Sequence, residues 1–122
     1  MKPVRRGAKA VTIEALEAYG ADVNAGLARC LGMQDFYLKL VDMELKDENF
    51  ERLDRALAAQ DVREAFDAAH ALKGAVGNLG LTPLYGPLSE ITEKLRNAQG
   101  PVALDGLEDA YRNALEGLKA LA

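Results

Sequence analysis

His70 is the one histidine in this 122-residue chain, and Lys73, Gly74 and Gly77 follow it at one and two helical turns. An imidazole with the reference pKa of about 6.5 is mostly neutral at pH 7 and keeps one nitrogen lone pair free, which is the state a nucleophile needs. A lysine at i+3 puts a compact cation within reach of a group carried on that ring. Each glycine costs a helix about 1 kcal/mol against alanine. What the two gain is ground without side chains beside the ring, open to a partner that delivers a phosphoryl group.

Helical geometry supports this arrangement. Ala65, Ala69, Leu72, Val76 and Leu79 follow the i, i+4, i+7, i+11, i+14 spacing of a single apolar stripe. At about 100° per residue, His70 points about 140° from the centre of that stripe, with Gly77 near 120° and Gly74 near 180°. Phe66, at about 100°, and Lys73, at about 80°, lie on its edge. The spacing therefore predicts an exposed imidazole, a flanking ammonium and bare backbone one turn later.

The run His70-Ala71-Leu72-Lys73-Gly74, followed by Gly77-Asn78-Leu79-Gly80, resembles the signature of histidine phosphotransfer (HPt) domains of bacterial phosphorelays. A looser likeness in helix pattern covers residues 22–122. The resemblance implies that His70 is the phosphorylated residue, that Lys73 helps to hold the phosphoryl group, and that Gly74 and Gly77 leave room for a docking receiver domain. Phe66 is expected to meet that partner, together with Phe36, Tyr37 or Leu40. Arg63, Asp67 and Asn78 are rim candidates. The expected partner is the receiver domain of a response regulator or hybrid sensor kinase. It would bring its own acidic pocket and Mg2+, so this chain needs no cofactor and no metal. The sequence departs from the family pattern at Leu81, where a small residue is usual, and at Tyr85-Gly86-Pro87, inside a helix that is usually uninterrupted.

The elements that must position these residues are helical throughout, because no strand-like alternation persists. Thr12 is read as the cap of a short helix ended by Gly20, and Asp22 as the cap of a second ended near Gly32. A third covers about 34–45, apolar on more than one side, with its excess expected to form a docking patch. A fourth runs from Glu48 to about Ala59, behind Asp47. Asp61 with Glu64 forms a capping-box pattern opening the histidine helix, which runs to about Asn78 with Gly80 as its terminator. Thr82-Pro83 reads as an N-cap and first helical position, with a kink or late start at Pro87. The last helix is placed at 102–121. Short links make neighbours antiparallel, so the fold class is all-α: an up-and-down four-helix bundle with additional short N-terminal helices. Residues 1–11 are read as a flexible tail and 12–122 as one domain.

Composition narrows the function. A net charge of −4 argues against nucleic acid. No apolar run approaches a membrane span, and the basic start lacks the apolar core of a secretory signal, so a cytoplasmic location is expected. The single Cys30 excludes an internal disulfide and reads as a small buried hydrophobe. A nucleotide-dependent histidine kinase is disfavoured, because no glycine-rich phosphate loop is present. A metal or haem bundle is disfavoured, because one histidine and one cysteine cannot furnish the usual ligands. The expectation is a phosphocarrier rather than an enzyme. The alternative is a non-catalytic helical bundle that binds a receiver domain without carrying phosphate.

Overall fold

The computed structural model describes residues 11–122, and these form seven helices and no strand. They are α1 (Ile13–Tyr19), α2 (Val23–Arg29), α3 (Gln34–Glu44), α4 (Asn49–Ala58), α5 (Val62–Asn78), α6 (Thr82–Leu95) and α7 (Leu107–Lys119). None is long and apolar enough to cross a membrane. Local chemistry sets most of the boundaries. The side chains of Thr12, Asp22 and Asp61 accept from the N–H groups of Ala15, Ala25 and Glu64 at 3.1, 3.1 and 3.2 Å, satisfying donors that a helix start leaves free. Only half of the capping box forms at Asp61, since the Glu64 carboxylate pairs with Arg52 of α4 instead. Gly20 and Gly80 end their helices in the left-handed region, at φ +109° and +71°.

α5 lies between α4 and α6, and α6 packs on α7. α7 reaches back to α4, where the Tyr111 and Phe50 rings stack at 6.4 Å and Arg112 stands 3.6 Å from Asp54. These four helices enclose fully buried Leu53, Leu72, Val76, Leu84, Leu88, Ile91, Tyr111 and Leu118. The N-terminal helices close one end. The Tyr19 hydroxyl donates to the Ala114 carbonyl and the Tyr37 hydroxyl to the Leu79 carbonyl, each at 2.8 Å.

Four expectations change. Val11, assigned to the tail, is buried in the core, while residues 1–10 lie outside the described residues. Leu81 rather than Thr82 occupies the N-cap of α6. That helix starts ahead of Pro87 rather than at it, and the proline inside it removes one intrahelical bond, to the Pro83 carbonyl. Burial of Leu84, Leu88 and Ile91, each contributing about 2 kcal/mol, outweighs that loss. The last helix starts only at Leu107, because Asp105 and Gly106 take left-handed φ values of +52° and +89°.

Glu44 sits buried at the end of α3, with Oε2 lacking a hydrogen-bond partner among the described residues. Burial pushes its carboxyl up to about 8, and the neighbouring Asp47 carboxylate pushes the same way. The unfolded chain binds this proton only below about pH 4.5, so the stability held with protonated Glu44 is lost as pH rises from there through about 8. Glu44→Gln is expected to leave urea stability near pH 4 almost unchanged and to raise it by roughly 2–4 kcal/mol at about pH 8.5. Parallel stability profiles for the two proteins would show that Glu44 is ionised without cost.

Candidate functional site

α5 presents two opposite faces. Ala65, Ala68, Ala69, Leu72 and Val76 are buried, while His70 and Gly74 are exposed and Lys73 is half-buried. The helical spacing thus holds, and the imidazole faces solvent from the middle of the bundle. Its ring stacks on Phe66, one turn earlier, at 5.6 Å between centroids and 24° between planes. This limits the ring's rotation without burying it. The guanidinium of Arg96, the C-cap residue of α6, lies 5.2 Å from the Phe66 ring centre, a cation–π distance. Arg96 is held by the Glu93 carboxylate at 2.9 Å. The Glu93 carboxyl is lowered chiefly by that hydrogen bond, against some desolvation, with Lys73 and His70 adding to the lowering. An acidic residue of α6 therefore belongs to the electrostatic surroundings of the imidazole and the ammonium.

The two glycines differ. A Cβ on Gly74 would meet nothing within 4 Å, so the ground beside His70 is open at that point. A Cβ on Gly77 would lie 3.0 and 3.1 Å from the Tyr85 ring. Gly77 therefore also seats Tyr85 from within the chain, at one of the positions where the sequence departs from the family pattern. Tyr85 is itself exposed at 40% and adds an aromatic edge to the surface.

A groove of about 500 Å³ runs beside these residues. His70, Lys73, Gly74, Gly77 and Asn78 of α5 line one side, and Leu81, Thr82 and Tyr85 lie at the start of α6. Asp22, Ala25 and Arg29, from α2 and its cap, complete it. Among the other sequence candidates, Arg63 and Asp67 are exposed on α5, and Asp67 lies 3.9 Å from Arg52. Phe36 is 45% exposed and Leu40 half-buried, but α3 contributes nothing to the lining of the groove. Tyr37 cannot contact a partner, being wholly buried with its hydroxyl bound to Leu79 and its phenol pushed up to about 12, mainly by burial. Sequence reasoning missed Glu93, Arg96, Tyr85 and the α2 wall. Arg96 reaches Phe66, and Arg29 reaches the Gly77 and Asn78 carbonyls, across different helices, and periodicity along one helix carries no signal for such contacts.

This site is equipped to present one exposed nitrogen nucleophile beside a cation on an unobstructed surface. Residues 43–121 match the model of the Hpt domain family, a span that includes all of α4 to α7. No curated protein and no solved structure gives a significant match.

Proposed function

From a chain that belongs to the Hpt domain family, whose members carry phosphoryl groups on histidine in phosphorelays and are not kinases, we propose that His70 is the acceptor here. In this reading a receiver domain presents an aspartyl phosphate to the open face of α5. Nε2 of neutral His70 attacks phosphorus in line. The new N–P bond forms as the acyl P–O bond breaks, the electron pair leaves with the aspartate carboxylate, and the ring proton stays on Nδ1. Reversal onto a second aspartate passes the group on. The observation that carries this reading is an imidazole exposed on α5 with nothing above Gly74 one turn away.

The division of labour follows from the residues. Transfer of this kind depends on positioning and charge neutralisation. Phe66 fixes the ring plane by stacking. Lys73 is the positive charge on this side, and the receiver brings the Mg2+. The contact is modest and short-lived, because the phosphoryl group must leave again. The setting is a bacterial two-component relay in the cytoplasm. Incubation with phosphate-labelled receiver domains tests the proposal: label moves to this chain, returns to fresh receiver, and does not arise from ATP alone. Label acquired from ATP alone would contradict it.

Two substitutions probe the parts. Lys73→Ala should change folding stability by no more than about 0.5 kcal/mol while slowing transfer by roughly tenfold. Unaltered transfer and unaltered phosphohistidine lifetime would remove Lys73 from the site. Gly74→Leu should stabilise α5 by about 1 kcal/mol yet lower transfer at least about tenfold, since the side chain fills the approach path. A variant that is both more stable and fully active would refute the cleared-surface argument.

A further inference from the structure

Acceptance at His70 leaves one wall of the groove unused. That wall is α2, which lies outside the segment 43–121 that matches the family. Arg29 Nη1 donates to the carbonyls of Gly77 at 3.3 Å, Asn78 at 3.4 Å and Ala25 at 3.5 Å. Two of these carbonyls end α5, so the guanidinium is held at a helix C-terminus, where positive charge is favoured. Arg52, Arg55, Arg96 and Arg112 each pair with a carboxylate, whereas Arg29 and the exposed Arg63 pair with none among the described residues, and of these two Arg29 alone lines the groove. The acidic residue in the lining, Asp22, already accepts from the Ala25 N–H as the cap of α2. A chain of net charge −4 thus offers a groove whose Arg29 guanidinium has no acidic partner and whose second cation is Lys73.

Two residues beyond Arg29, Leu31 is 86% exposed and held at φ +57°. A side chain with a Cβ is strained in that region and glycine is not. Neither core packing nor the backbone explains a leucine there, whereas contact with another molecule does. Met33 and Phe36, 53% and 45% exposed, continue the apolar corner into α3.

We propose that the partner's contact extends from His70 along the groove to α2, where Arg29 takes a carboxylate and Leu31 an apolar side chain, and that this pair selects which receiver is accepted. The inference rests on the reading of His70 as acceptor. The occupant is fixed by charge complementarity: a domain presenting an acyl phosphate from an acidic pocket brings an anionic surface to a cationic groove. Selection falls to α2 because the phosphoryl chemistry resides in the family-matched segment and α2 does not.

The test uses the full chain with a panel of receiver domains charged by acetyl phosphate, at low and high salt. Arg29→Glu is expected to raise the receiver concentration for half-maximal rate about tenfold and to flatten its salt dependence. The saturating rate and the phosphohistidine lifetime should stay within about twofold, because no reacting group has changed. Leu31→Gly relieves the strained φ, so its melting temperature should hold or rise while the half-maximal concentration increases about threefold. Unchanged half-maximal concentrations in both variants, or a loss confined to the saturating rate, would overturn the proposal. Calorimetric binding of the same receivers in the His70→Gln background separates the two readings. If the wild-type chain takes no phosphate yet Arg29→Glu still weakens receiver binding, the acceptor reading fails and the surface stands.

Discussion

His70→Gln should abolish phosphate acceptance, with transfer from any charged receiver falling by at least about a thousandfold, while helix content and melting temperature stay close to wild type. The loss is total in kind because this is the one histidine of the chain and no second imidazole can substitute. The fold should tolerate the change because His70 is exposed, with its ring stacked on Phe66. Substitutions at such positions usually move stability by no more than about 0.5 kcal/mol. Glutamine keeps the length and polarity of the side chain but has no nucleophilic ring nitrogen. A variant that unfolds would contradict the face assignment. One that still accepts phosphate would contradict the assignment of the acceptor.

The second large effect lies away from the chemistry. Gly26→Ala should destabilise the protein by about 3 kcal/mol or more, lowering the melting temperature by roughly 10 °C for a chain of this size. Alanine is the better helix former by about 1 kcal/mol, so propensity alone predicts the opposite sign. The geometry decides the matter: a Cβ there would lie 2.6 Å from the Leu79 carbonyl oxygen and 2.9 Å from Cζ of Tyr37. Neither neighbour can yield cheaply, because Tyr37 is wholly buried and its hydroxyl is bound to that same carbonyl. Thermal unfolding of Gly26→Ala beside Gly74→Ala gives an internal control. The first should fall and the second, in open space, should rise. Equal shifts would show that α2 does not press on the end of α5 as described.

The parts of the structure legible in the sequence are those governed by local rules. The caps at Thr12, Asp22 and Asp61 and the left-handed glycines at 20 and 80 needed only neighbouring residues to be read. The faces of α5 followed from one apolar stripe, and that alone placed His70 outside, Lys73 at the edge and Leu72 within. Where a helix is apolar on several sides, periodicity loses its power. In α3, Phe36, Tyr37 and Leu40 looked equivalent, yet Tyr37 is buried because Gly26 and the Leu79 carbonyl wait for it across the fold. The late start expected at Pro87 does not occur, because tertiary burial of Leu84, Leu88 and Ile91 overrides a local penalty. The α2 wall of the groove and the approach of Arg96 to Phe66 depend on contacts between distant segments, which residue spacing along one helix does not encode.

The central claim is that one exposed imidazole carries the group. It is tested most directly by charging the wild-type chain from a phosphorylated receiver and locating the phosphate by its chemistry and by peptide mapping. The account predicts one phosphoryl group per chain, labile in acid, stable in base, and borne by the peptide that contains His70. Phosphate that is stable in acid, or borne by any other peptide, would contradict it.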